Sequence, residues 1–377
     1  MQSRNESPSL TVLPSSDNEK ICFFISNIDT PYEGMVRPFI NWTIELRLEG
    51  YEIYFILLNC SKKLKDFLEK YVHGVNLKSV TNFNEMLTYL YNSRPTVIVT
   101  DDYYARLRLI NKIKNITRVR TCIYVQVLHG IHSIVDTFNL NYASLKFKLK
   151  IRYFGQRFIP FNFLRRPYKN LLLNQDIIIA NSQTTATFLH TLYGIEPDEV
   201  IHPPVNTNIF KTCAGKKNQV LLYLGSHSEE VDANFIRKIC EILQTGGFNI
   251  LVFGNVKIPE QMKNDFNLQY CSDVCDEELA RIYSESKFTI CPQKWEMFGY
   301  VAAESISCGT PAIAFNLMGF AEIIAQPKCG YLVNNKQEFL TKVESLTLES
   351  KNKCDRNTYF WNIETSTMKL KKVIESN

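Results

Sequence analysis

The sequence predicts an α/β protein made of two doubly wound, Rossmann-like domains, and three observations carry that prediction. Its 377 residues are too many for one comfortable hydrophobic core. Continuous apolar runs rich in Ile, Val and Phe alternate with longer amphipathic stretches, the pattern of parallel strands covered by helices on both faces. These runs form two series, separated by a stiff polar connector, His202-Pro203-Pro204-Val205-Asn206.

Taken in order, the strands of the first series are ICFFIS from Ile21, EIYFILL from Glu52, TVIVT from Thr96, CIYVQVLH from Cys122 and DIIIANS from Asp176. The second series comprises VLLYLGS from Val220, NILVFG from Asn249, FTICP from Phe288, PAIAFN from Pro311 and GYLV from Gly330. Helical patterns run from Met35 to Glu49, Asn234 to Leu243 and Glu277 to Ser286. The expected domains are 20–206 and 207–356, with 357–377 as a final helix. Residues 1–19, rich in Ser, Asn and Pro, read as a disordered tail. A ligand in this architecture belongs at the carboxyl ends of the strands, in a crevice between domains. The loops after Ser26, His129, Gly225, Gly254 and Pro292 are therefore expected to face it.

Composition narrows the class. Hydrophobic residues at 45% and charged residues at 21% give the balance of a soluble globular chain. No run approaches the roughly 18 apolar residues of a spanning helix. The N-terminus has no basic segment followed by an apolar run, so it reads as cytoplasmic, without a secretory signal. The eleven cysteines lie mostly in apolar elements and read as small buried hydrophobes. Cys271 and Cys275 have no second pair at ligand spacing, and no metal is expected. The N-x-S/T matches at Asn5, Asn41, Asn59 and Asn115 read as chance without an export signal.

The chemistry concentrates between Pro292 and Ile324, PQKWEMFGYVAAESISCGTPAIAFNLMGFAEII. A strand ends at Pro292, a loop carries Glu296, and a helix from about Phe298 to Cys308 stops at Gly309, which tolerates a left-handed terminus. Glu296 thus precedes a helix N-terminus whose free amides receive a phosphate or sugar oxygen. Glu304 follows eight residues later, about 12 Å along a helix. Carboxylates at both points suit hydroxyl groups, which donate charge-assisted hydrogen bonds to them. An isolated glutamate pair at this spacing would be a helix cap and a surface residue; the flanking residues argue otherwise.

The segment resembles the E-x7-E signature of the retaining glycosyltransferases of family 4, the group 1 transferases, which have the two-domain GT-B fold. Glu296-Met297-Phe298-Gly299, Glu304, Ser307-Cys308-Gly309-Thr310-Pro311 and Met318-Gly319-Phe320-Ala321-Glu322 carry the resemblance. DIIIANSQTTATFLHTLYGIEPDEVIHPPVNTNIF and DEELARIYSESKFTICP extend it upstream. The resemblance implies a nucleotide-sugar donor, an acceptor glycan or lipid-linked precursor, and transfer with retention of configuration, without a metal. It implies that Glu296 holds the transferred sugar and Glu304 the ribose, with amides at Phe298, Gly299 and Tyr300 on sugar and phosphate. His129 matches a sugar-contacting histidine. Gly34 matches a close approach of backbone to diphosphate, and Gly225 and Gly319 fall in further donor loops.

One departure stands out. The family places an Arg and a Lys after the first strand of the second domain, to neutralise the leaving diphosphate. Here the chain reads Gly225-Ser226-His227-Ser228-Glu229-Glu230-Val231-Asp232, with neither cation. His227, Lys257 and Lys294 are the candidate substitutes; an atypical donor and lost catalysis are the alternatives. Asp101-Asp102 reads as a cap of the following helix.

Between Ser144 and Leu173, Lys146, Lys148, Lys150, Arg152, Arg157, Arg165, Arg166 and Lys169 interleave with aromatics. Lys146, Lys150, Arg165 and Arg166 would form a membrane or acceptor patch at an anionic surface; the alternative is a helix burying its aromatics with its cations in water. No nucleic-acid module accompanies the patch. The resemblance also implies that the final helix crosses back to the first domain, with Tyr359, Phe360 and Trp361 as anchors.

Overall fold

The structure is a computed structural model describing residues 19–31, 33–72, 74–126, 128, 161–225, 232–254, 260–271, 274–325, 329–349 and 359–376, with the backbone alone at 161–164. His129, His227, Lys146, Lys150 and Lys257 lie outside these residues. The chain divides into two compact units. Unit 1 holds residues to Asn181, Thr185–Ile201 and Thr367–Asn377; unit 2 holds Ser182–Thr184 and His202–Ser366. The division falls at Ile201/His202, ahead of the expected 206/207.

Unit 1 is a parallel sheet of β1 (Lys20–Ser26), β2 (Glu52–Leu58), β3 (Asn76–Val80), β4 (Val97–Asp101), β5 (Arg120–Val125), β6 (Ile177–Ala180) and β7 (Glu199–Val200). Its order is β3-β2-β1-β4-β5-β6-β7. β1 is buried along nearly its whole length because β2 and β4 flank it, which explains its unbroken apolar run. Helix α1 (Arg37–Leu48) opens with Pro38 in its first turn, where a missing N–H costs nothing. It sets Phe39 and Trp42 against Phe23 and Tyr124, with ring centroids 4.8–6.4 Å apart. Helices α2 (Lys62–Tyr71) and α3 (Phe83–Ser93) begin at Ser61 and Asn82, each accepting an amide three residues on. α4 (Tyr104–Thr117) follows β4, and α5 (Phe161–Leu173) precedes β6. α6 (Gln183–Phe188), whose first two residues belong to unit 2, runs on into a single π turn.

Unit 2 is a second parallel sheet: β8 (Gln219–Tyr223), β9 (Asn249–Phe253), β10 (Gln269–Cys271), β11 (Thr289–Cys291), β12 (Ala312–Phe315) and β13 (Gly330–Val333), ordered β10-β9-β8-β11-β12-β13. Helices α7 (Ala233–Thr245), α8 (Glu260–Asp265), α9 (Asp276–Glu285), α10 (Tyr300–Ser307), α11 (Met318–Ala325) and α12 (Lys336–Leu348) alternate with the strands. Val220, Leu222 and Leu224 join the core on one face, Leu221 and Tyr223 the core on the other. The last helix, α13 (Ile363–Glu375), sends Leu370 and Ile374 into the core of unit 1.

Two sequence readings change here. Nine of the described cysteines are free, but Cys329 is disulfide-bonded, so not every cysteine is a plain buried hydrophobe. β3, β7 and β10 were not expected; they are short, polar edge or near-edge strands with little buried surface to mark them.

Candidate functional site

In each unit the strand order reverses once, between β1 and β4 and between β8 and β11. At such a switch point the connections leave in opposite directions and open a crevice beyond the carboxyl ends of the strands. In unit 2 that end of β11 is followed by the loop carrying Glu296.

α10 begins at Tyr300, not near Phe298, because Gly299 takes φ +99° and caps the helix in a left-handed conformation. Only the second half of the Glu296–Glu304 spacing is therefore helical rise. Glu296 is half-buried. Burial pushes its carboxyl up to about 7, against the amides of Phe298, Gly299 and Met297, which favour the ionised form. Its carbonyl accepts the Gly319 amide at 2.8 Å. A Cβ at Gly319 would stand 2.5 Å from the Phe298 oxygen, so only glycine lets α11 lie this close beneath the loop. Phe320 fills the space over Gly299 in the same way, 2.9 Å from where a Cβ would stand.

Glu304 is 1% exposed on α10, and its Oε2 accepts the Tyr283 hydroxyl at 3.1 Å. It is no surface residue. The helix behind it ends at Gly309, φ +75°, and is held by Trp361, whose Nε1 donates to Ser307 Oγ at 3.2 Å. Tyr359 stacks on Trp361 at 4.8 Å and donates to the Ile306 carbonyl.

Tyr223, at the end of β8, is a residue the sequence reading missed. Burial first, with Glu296 adding to it, holds its hydroxyl well above the usual tyrosine range, so it stays protonated. A Cβ at Gly225 would stand 2.3 Å from that hydroxyl, so a side chain there would require the Tyr223 ring to shift. Gln293 is a second omission: 3% exposed, with neither amide atom hydrogen-bonded. Lys294 is exposed at the end of β11, its ammonium 5.3 Å from the centre of the Phe315 ring.

In unit 1, Gly34 is exposed in the turn before α1. The Asp101-Asp102 pair does not cap α4 as expected: the cap position is Tyr103, with no side-chain cap bond, and the two carboxylates are drawn to other partners. Asp101 accepts the Tyr103 amide at 2.9 Å and the buried Arg106 Nε at 2.6 Å, and Arg106 also reaches the Ser26 carbonyl. Burial raises the Asp101 carboxyl to about 6, with Arg106 opposing. Asp102 accepts the Gln126 amide and the Tyr168 hydroxyl, each at 2.8 Å, and the Gln126 side chain donates to the Met35 carbonyl at 2.9 Å. The pair thus ties the ends of β1, β4 and β5 to the Gly34 turn and α5. Of the expected basic patch, Arg166 is exposed, whereas Arg165 donates to the Leu192 carbonyl. No helix among the described residues is long and apolar enough to cross a membrane.

Residues 205–359 match the family described as glycosyl transferases group 1, a stretch that includes both glutamates. The D-inositol 3-phosphate glycosyltransferase of Rhodococcus erythropolis is 22% identical over 208 residues, 47% of either chain. The match therefore spans about half the length of that relative. Solved structures cover nearly the whole chain. Sucrose-phosphate synthase from Thermosynechococcus elongatus gives a TM-score of 0.67 at 14% identity, over 95% of both chains. Anabaena HepE, solved with UDP and glucose, gives 0.68 at 14% identity, over 96% of this chain and all of that one. The fold is thus GT-B, two parallel-sheet Rossmann-like units, as the sequence predicts.

Proposed function

We propose that this protein is a glycosyltransferase that takes its sugar from a nucleotide-sugar and passes it to an acceptor with retention of anomeric configuration. One observation carries the reading: at the switch point of unit 2 the half-buried Glu296 stands just ahead of the α10 N-terminus and the buried Glu304 lies on that same helix. Glu296 accepts hydrogen bonds from the sugar, and the amides at Phe298, Gly299 and Tyr300 meet its phosphate-side oxygens. Glu304 accepts from the ribose hydroxyls. His129 is assigned to the sugar and Gly34 to the diphosphate on resemblance alone, as is the independence from metal. The hexosyl class of the sugar and a lipid-linked glycan or polysaccharide precursor as acceptor belong to the same proposal. HepE was solved with UDP and glucose, and the group 1 match covers both glutamates; both support it.

The missing Arg and Lys after β8 favour a second reading, a donor-binding protein that no longer transfers. Lys294, a cation at the end of β11, and the Tyr223 hydroxyl are the described groups that would stand in for them. Incubation with a panel of nucleotide-sugars, following slow donor hydrolysis in the protein and in Glu296→Gln, separates the readings. The transferase hydrolyses one donor and the variant loses at least tenfold of that rate. Binding without turnover, even with membrane extract added, favours the second reading; no binding to any donor defeats both.

For the membrane surface, a cytoplasmic, peripheral attachment is proposed. Reversing the charges of Lys146, Lys150 and Arg166 should abolish sedimentation with anionic liposomes, and unchanged sedimentation refutes it. Arg165 is left intact there because its loss also removes the bond to Leu192.

A further inference from the structure

Glu322 lies near the end of the segment from Pro292 to Ile324, 18 residues beyond Glu304 in the chain. In the structure its carboxylate is part of a closed set of contacts within unit 2. Oε1 lies 2.5 Å from His202 Nε2. Oε2 accepts the Gln183 amide at 2.9 Å, and the Thr184 amide also reaches the carboxylate. Both side chains of this contact are largely buried, at 13% and 14% exposure. His202 is itself fixed on other sides: Phe360 packs against its ring at 4.4 Å, Phe298 stands 6.1 Å away, and Ser366 donates to its carbonyl at 2.7 Å. A carboxylate held by two amides and an imidazole has little freedom to rotate.

Glu322 sits one turn into α11, the helix whose Gly319 amide holds the Glu296 carbonyl and whose Phe320 packs on Gly299. An eight-residue helix is too short to be stable by itself. Its position must come from its anchors, and Glu322 is the charged one.

We propose that Glu322 is a positioning residue for the sugar half of the donor pocket: clamped by His202 and the Gln183 and Thr184 amides, it fixes α11, and through Gly319 it fixes the loop that aims Glu296. This rests on the assignment of Glu296 to the sugar and Glu304 to the ribose. Glu304 is held independently, by Tyr283 and by its own helix, so loss of the clamp should spare the nucleotide.

The test is made on the full chain with Glu322→Gln, which keeps one oxygen for the amides, and Glu322→Ala. Amide hydrogen exchange should rise about tenfold or more at Gly319 in both variants, with the amides of β8 unchanged. In titrations with UDP and UDP-glucose, affinity for UDP-glucose should fall about tenfold while that for UDP stays within twofold. His202→Gln, which retains a donor to Glu322, should restore most of what His202→Phe loses. Unchanged exchange at Gly319, or equal losses for UDP and UDP-glucose, overturns the proposal. Wild-type protein that binds neither probe nor any other nucleotide-sugar overturns the donor reading, while the exchange result still decides the clamp.

Discussion

At the scale of single residues, Glu296 is governed by a conflict between burial and hydrogen bonding. Three amides favour its charge, yet burial wins and leaves the carboxyl near 7, from an ordinary value of 4.5. The sign follows from proton binding. The folded chain holds this proton more tightly than the unfolded chain, so its contribution to stability declines as pH rises from about 4.5 to 7 and is flat above that. Glu296→Gln removes this penalty. Its stability relative to wild type should therefore be greater at pH 8 than at pH 5, by about 1–3 kcal/mol, measured by denaturant unfolding at both pH values. If hydroxyls of the donor require the carboxylate, wild-type affinity for a nucleotide-sugar should increase between pH 6 and 8, and the variant should lose that trend. A variant with the same pH trend as wild type would show that another group is responsible.

At the scale of elements, two helices and one loop make the proposed donor side, and each is set by contacts that tolerate little change. Gly319→Ala puts a methyl against the Met297 and Phe298 carbonyls, both within 2.6 Å of it. Backbone cannot move aside as a flexible side chain can, so a cost of about 1–3 kcal/mol is expected, with donor affinity falling in parallel. Calorimetry of the purified variant checks the first, and a UDP-glucose titration the second. α10 is anchored by the fully buried Trp361; Trp361→Ala should cost about 3–5 kcal/mol, because the cavity lies under the helix that carries Glu304. On the other unit, Asp102 joins α5 to the end of β5. Asp102→Ala strands the Tyr168 hydroxyl and the Gln126 amide in a buried place, and thermal unfolding should report a loss of roughly 2–4 kcal/mol.

At the scale of the whole molecule, the two units have separate cores: one is built on Phe23, Phe55 and Tyr124, while two others line the faces of the second sheet. Separate cores predict separate cooperative transitions. Calorimetric unfolding should resolve more than one step, and UDP at a hundred times its dissociation constant should raise only the step of the unit bearing Glu304, by about 2.7 kcal/mol. A single transition whose calorimetric and van't Hoff enthalpies agree would contradict this.

The strands legible in the sequence are those buried on both faces, such as β1 and β12, where burial forces an unbroken apolar run. β3 was illegible because it is a polar edge strand, and β7 because two residues carry no periodicity. Likewise Glu296, Glu304, Gly299 and Gly319 were visible because they share one continuous segment in which a strand, a loop and two helix starts follow in order. By itself, the sequence therefore determined the α/β class, the two-unit GT-B architecture and the segment that holds the candidate donor site. Tertiary structure decided the partners. Asp102 meets Tyr168 across 66 residues, His202 meets Glu322 across 120, and Glu322 meets Gln183 across 139. Such contacts are made by the packing of elements distant along the chain. Hydrophobic periodicity records only which face of an element is buried, and leaves open which polar group it will meet there.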